Sequence, residues 1–171
     1  LWQELARPED LPPRPDYKAL AKGGVAPTPH TLEMTLVDEV KLDAVPPDRF
    51  RATGVTTVKT LDGVRYLEAG PKEGDRYAVR FNLDPKHPLY CFEFDYPDDA
   101  VRTADITVQP SKGWSFALEV GYASGDEYPC SGRILTHRCV YWAPGGDVTA
   151  VLMTARSGAP AALSAIRLYR I

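Results

Sequence analysis

No stretch of this sequence runs to eighteen apolar residues, and no charged start leads into a short apolar segment. A membrane-spanning helix is therefore excluded, and no signal peptide is expected within the chain. A predominant charge is missing as well. Twenty basic residues are scattered among twenty-three acidic ones, for a net charge of −3, so no continuous positive stripe follows a phosphate backbone and nucleic acid is a poor fit as a partner. Catalytic signatures are absent too, with no GxSxG elbow, glycine-rich phosphate loop, HExxH or paired CxxC. His30, His87 and His137 stand in three unrelated places, so neither a triad nor a zinc centre is announced. An enzyme is unsupported rather than excluded.

Cysteine is scarce and odd in number. Of Cys91, Cys130 and Cys139 at least one thiol has no partner within the chain. If Gly132 to Trp142 is one extended strand, Cys130 and Cys139 lie roughly 30 Å apart, beyond disulfide reach. Only a bond from Cys91 to one of them stays open, against the plainer reading of three small buried hydrophobes.

What is present is the composition of one ordinary domain: 171 residues, 44% hydrophobic and 25% charged, enough to bury a core without staples. The chain begins with Leu1, which suggests a processed form or a piece of something longer. Residues 1–30 carry six prolines and no sustained period, and read as an arm or linker. Within it, Asp16 caps a short helical turn through YKALAK that stops at Gly23 and Gly24.

From residue 31 to 171 short alternating runs sit between turn signals, which is the pattern of an all-β, antiparallel sandwich or jelly roll. RYAVRFNL sets Tyr77, Val79, Phe81 and Leu83 on one face, and LYCFEFDY does the same with Tyr90, Phe92, Phe94 and Tyr96. RTADITVQ aligns Ala104, Ile106 and Val108. WSFALEVGY aligns Trp114, Phe116, Leu118, Val120 and Tyr122. With TLEMTLVDEVKL, GVTTVKTL, GVRYLEA, GRILTHRCVYW, DVTAVLMTA and ALSAIRLYRI the count reaches about ten strands, with no long helix after residue 30.

Chemistry concentrates in YPCSGRILTHRCVYWAP. One face of its strand carries Ile134, Thr136, Arg138, Val140 and Trp142, the other Arg133, Leu135, His137, Cys139 and Tyr141. Neither face is purely apolar, so the strand lies at an edge or lines a ligand-facing concave surface. The loop before it, GYASGDEYPCSG, is long and mixes polar, small and aromatic residues. Flat rings cover the apolar side of a sugar and charged groups bind its hydroxyls. Trp114, Tyr122, Asp126, Tyr128, Arg138 and Trp142 are therefore the candidate ligand-binding residues. The plainer reading has Trp114 and Trp142 closing the ends of the core. Around the DYPDDA turn, Asp95, Asp98 and Asp99 offer oxygens to a calcium ion, or form a solvated turn. Glu93 and Asp95 alternate with aromatic residues, which places them toward solvent.

The run RYAVRFNLDPKHPLYCFEFDYPDDAVRTADITV, then EVGYASGDEYPCSGRILTHRCVYWAP and the closing ALSAIRLYRI, resembles the galactose-binding-like β-sandwich. That jelly roll is used by carbohydrate-binding modules and by accessory domains of bacterial glycoside hydrolases. The resemblance spans roughly residues 31–171. It implies non-catalytic binding of a poly- or oligosaccharide at loops on one end or on a concave face, often with a structural calcium. It also implies an extracellular or periplasmic setting beside other domains of a parent protein. A structural spacer against a catalytic domain, and a small hydrolase or lyase, are the alternatives. The proline-rich arm departs from the pattern.

Overall fold

The computed structural model describes residues 33–111, 117–143 and 145–171. Among them there is no α-helix, only a three-residue 3₁₀ turn at Leu42–Ala44. The proline-rich arm and the expected helical turn after Asp16 lie outside the described residues, as does Trp114.

Among the described residues twelve strands follow one another: β1 Thr35–Lys41, β2 Phe50–Thr53, β3 Thr56–Leu61, β4 Val64–Ala69, β5 Arg76–Leu83, β6 Leu89–Asp98, β7 Arg102–Pro110, β8 Leu118–Ser124, β9 Arg133–Trp142, β10 Gly146–Thr154, β11 Ala162–Leu163 and β12 Ala165–Arg170. Their alternation explains why they form. In β5, Tyr77, Val79, Phe81 and Leu83 are buried while Arg76, Arg80 and Asn82 face solvent, the period of two of a sheet with one wet face.

Pairing is antiparallel throughout. One sheet runs β1-β12-β6-β9, a second β2-β5-β10-β7-β8, and a small third β11-β4-β3. The first two contribute to a common core, where the Phe81 and Phe92 rings meet edge to face at 5.5 Å and Phe92 also packs on Phe94 and Tyr141. Such aromatic pairs add about 0.5–1.5 kcal/mol beyond the area they bury.

Two features depart from the expected ten strands. The segment FRAT forms the short β2, pairing Phe50–Thr53 with Arg76–Val79. The closing run ALSAIRLYRI is divided at Ser164. Its first part pairs with β4 and its second with β1 and β6, because the Ser164 amide is taken by the Asp95 carbonyl at 2.8 Å.

One arginine lies inside. Arg102 has the parity of Ala104, Ile106 and Val108 and is 1% exposed. Its guanidinium donates to Glu68 at 2.8 Å, to Asp99 at 2.9 Å, to the Pro160 carbonyl at 3.0 Å and to the Tyr66 hydroxyl at 3.2 Å. Tyr66 donates in turn to Asp99 at 2.8 Å, and Lys59 reaches the other oxygen of Glu68 at 2.6 Å. Every nitrogen of the buried cation thus has an acceptor, as burial of a charge requires.

Candidate functional site

The segment between β8 and β9 is fastened rather than loose. The Ser131 amide donates to the Asp98 carboxylate at 2.7 Å and the Gly132 amide to the Asp98 carbonyl at 2.8 Å. At the other end the Ser124 hydroxyl donates to the Ala100 carbonyl at 2.8 Å. Gly125 turns the chain at φ +74°, and a Cβ there would lie 3.0 Å from the Val101 backbone and 2.9 Å from Cys130 Sγ. The loop is thereby clamped onto the turn between β6 and β7, and the close approach at Gly125 is one that only glycine permits.

Between loop and sheet lies a cleft of about 420 Å³. Its walls are Tyr96, Leu135, Ala123 and Pro129, and its rim carries Asp126, Glu127 and Tyr128. Tyr128 is 78% exposed, the most open large hydrophobic side chain among the described residues. Tyr96 forms a second, half-buried ring, stacked on Tyr122 with centroids 4.1 Å apart and an 18° tilt. Burial, then the neighbouring Asp98 carboxylate, pushes the Tyr96 phenol up, so it remains a neutral donor at neutral pH. Asp126 bonds Arg156 at 2.7 Å, and that bond holds its carboxyl below the ordinary range.

The structure distributes the other expected ligand residues differently. Tyr122 is in the core: its hydroxyl donates to the Ala162 carbonyl at 2.5 Å and accepts from the Ala162 amide at 2.9 Å. It cannot touch a ligand, and its ring instead backs Tyr96. Trp142 is 62% exposed but ends β9, whereas Tyr128 precedes the start of that strand. Ten extended residues set them about 30 Å apart, so they do not share one surface. Trp114 lies outside the described residues.

Arg138 points outward from β9 into a row of alternating charge. Cross-strand register aligns Glu39 on β1, Arg167 on β12, Glu93 on β6 and Arg138 on β9. Arg167 bonds Glu93 at 2.9 Å and Arg138 Nε bonds it at 2.8 Å, while Glu39 lies 3.9 Å from Arg167. Glu93 and Asp95 are on the outer face as alternation requires, yet both are buried under these arginines. Strand parity alone placed them in solvent, and the cross-strand neighbours overturn that. Burial raises the Glu93 carboxyl, but bonds from Arg167, Arg138 and Tyr169 outweigh it and hold it low.

The carboxylates considered for calcium are each engaged elsewhere. Asp95 takes two bonds from Arg167, at 2.6 and 2.7 Å, and one from Thr136 at 2.7 Å. The Asp98 carboxylate accepts from the Ser131 amide, and Asp99 is bound by Arg102 and Tyr66. Among the described residues no three His, Cys, Asp or Glu side chains gather in a metal-holding arrangement. These donors do not fit a calcium ion, since Arg167 already holds both oxygens of Asp95, and Arg102 and the Tyr66 hydroxyl hold those of Asp99.

All three cysteines are free: Cys91 is buried and Cys130 and Cys139 are half-buried. Burial pushes the Cys139 thiol up to about 12, so it is an inert core residue rather than a nucleophile.

A second concavity escaped the sequence reading. The outer face of the five-stranded sheet forms a groove of about 560 Å³, with Arg51 and Arg76 toward one side, Glu119 toward the other, and Ala78, Thr107 and Val151 between. The residues are ordinary solvent-face types, so only curvature distinguishes them. Among the described residues its one aromatic lining residue, Tyr77, is buried. Tyr96 was also missed as a cleft residue, because it continues the inward series of Tyr90, Phe92 and Phe94. Its place at the end of that series, next to a turn, was the available signal.

No helix of the described residues is long and apolar enough to cross a membrane. Neither a family model nor a curated protein matches the sequence. Solved structures do match the fold. A family 35 carbohydrate-binding module from Clostridium thermocellum superposes with a TM-score of 0.54 at 13% identity, covering 77% of this chain and 98% of its own. The module CBM6cm-2 from Cellvibrio mixtus lichenase 5A, solved with cellotriose, gives 0.55 at 12%, covering 80% and 99%. A family GH115 4-O-methyl-α-glucuronidase with specificity for decorated arabinogalactans gives 0.57 at 14%, covering 85% of this chain but 19% of that one. The chain has the β-sandwich of the carbohydrate-binding-module type.

Proposed function

We propose that this chain is a non-catalytic carbohydrate-binding module that takes a poly- or oligosaccharide in the cleft beneath Tyr128. The supporting observation is the chemistry of that cleft. An open ring and a half-buried ring offer apolar faces, while Asp126 and Glu127 stand beside them as hydroxyl acceptors. The scaffold is one that sugar-binding modules share. Two stacked rings at about 0.5–1.5 kcal/mol each, with a few hydrogen bonds, correspond to micromolar to millimolar affinity. The groove on the five-stranded sheet has no open ring and is the weaker site.

Glu93, Asp99 and Asp126 are all displaced downward, so none of these three is poised as a general acid. The chain is read as an accessory domain of a larger extracytoplasmic carbohydrate-active protein, the setting in which this fold accompanies catalytic domains.

Affinity electrophoresis against a panel of plant, algal and microbial polysaccharides tests the reading. At least one glycan should retard the protein, and Tyr128→Ala should abolish retardation without moving thermal unfolding, since the ring is outside the core. Retention in Tyr128→Ala together with loss in Arg76→Ala would move the site to the sheet groove. A panel with no retardation would leave a structural spacer as the better description.

A further inference from the structure

The outer face of the β1-β12-β6-β9 sheet is built unlike the solvated side of an ordinary antiparallel sheet, which carries polar residues in alternation. Register places Leu36, Tyr169, Cys91 and Val140 in one apolar row across all four strands. Leu89 and Trp142 form the next row toward the end of β9. Leu36 is 51% exposed, Val140 52% and Trp142 62%. Between Leu36 and Val140, Tyr169 is half-buried and Cys91 is buried, so the open apolar surface lies toward the two edges of the face, and exposed apolar side chains of this size mark an interaction site. Beside it runs the row Glu39, Arg167, Glu93, Arg138, whose signs alternate.

We propose that this face is the interface of a two-fold dimer of the chain, packed sheet against sheet. The argument is charge complementarity. The row reads minus, plus, minus, plus, so it is antisymmetric about its centre. A two-fold axis lying between the faces and parallel to the strands reverses the row on the second copy. Glu39 then faces Arg138 of the other copy, both side chains being exposed, while Glu93 stays beneath its own arginines in each copy. The same operation keeps each row opposite itself, so the apolar row meets an apolar row, with the exposed Leu36 against the exposed Val140. An axis along the row would instead set like charges against each other, a costly arrangement. One symmetry operation therefore satisfies both the charged and the apolar rows, and isologous contacts of this type are the commonest in oligomers. The axis also leaves both β8–β9 loops at the same end of the pair. The inference does not depend on what those loops bind.

Sedimentation velocity of the full chain over a concentration series tests it. The protein should pass reversibly from monomer to dimer, and Trp142→Ser should weaken the dimer about tenfold or more while circular dichroism stays unchanged. Arg138→Glu sets two glutamates against each other across the axis and should weaken it comparably. The pair Glu39→Arg with Arg138→Glu is decisive. It restores opposite signs across the axis but places like charges side by side within each copy. Recovery of the dimer in the double variant supports the interface. A double variant no better than Arg138→Glu refutes it, as does a protein that is monomeric at every concentration. A dimer indifferent to Trp142→Ser also refutes it. A partner domain bound to this face of a monomer would be the alternative occupant.

Discussion

Replacing Arg102 by methionine tests whether the buried cation is structural. Methionine keeps much of the volume and removes the charge, so the loss is electrostatic rather than a cavity. Truncating one partner of a buried ion pair costs about 3–5 kcal/mol, because the remaining charge is left dry and uncompensated. Here Glu68 retains Lys59 and Asp99 retains the Tyr66 hydroxyl. That argues for the lower end, about 3 kcal/mol at neutral pH, or a fall in Tm of about 6–12 °C for a domain of this size. The deficit should depend on pH. In the native protein burial raises the Asp99 carboxyl, but bonds from Arg102 and Tyr66 outweigh it and hold it below the unfolded value. Its contribution is then present above an unfolded pKa of about 3.9 and is lost as pH falls through the lower folded value. Without Arg102 the carboxyl has no such advantage and protonates readily. The gap between native and variant should therefore be widest at neutral pH and narrow below about pH 4. Urea unfolding followed by fluorescence at neutral and acid pH measures both quantities. A deficit below about 1 kcal/mol at neutral pH, the scale of an exposed pair, would refute the reasoning. So would a larger deficit that does not change with pH.

Tyr122→Phe should cost about 1–3 kcal/mol in chemical denaturation, because the Ala162 amide loses its acceptor inside the core. It should also weaken glycan retention modestly, since the Tyr96 ring loses a fixed support, whereas a ligand contact by Tyr122 itself would leave stability untouched. Mass spectrometry of the alkylated, unreduced protein should find three modified thiols after unfolding. A Cys130–Cys139 bridge would contradict both the structure and the extension of β9.

Alternation was legible wherever a strand has one dry face. Tyr77 to Leu83 and Ala104 to Val108 take the sides their sequence implies, because side-chain parity is a local property of the chain. The same parity sent Arg102 inward, and a charge in line with Ala104, Ile106 and Val108 was a readable sign of a buried ion cluster. What covers a side chain is not local. Glu93 and Asp95 are buried by Arg138 and Arg167, which lie 45 and 72 residues away along the chain, and no pattern within β6 could reveal them. The site was half legible. Tyr128 and Asp126 share the cleft, whereas Tyr122 and Tyr128, both in a stretch of mixed residues, differ completely in exposure. The distance between Tyr128 and Trp142 follows from the extension of β9 and was implicit in the same argument that separated Cys130 from Cys139.

The place of β12 governs when the molecule can assemble. It sits in the middle of its sheet, between β1 and β6, and Thr35 pairs with Arg170. During synthesis β5, β7, β8 and β10 can associate once residue 154 has left the ribosome. Among the described strands β1 has no neighbour until β12 arrives, and β6 has only β9. A nascent chain stalled in that interval keeps unpaired backbone on both strands and part of its aromatic layer uncovered, the surface that holding chaperones recognise and that drives aggregation. The four-stranded sheet is therefore completed only once β12 has emerged, through contacts of long sequence separation that form slowly.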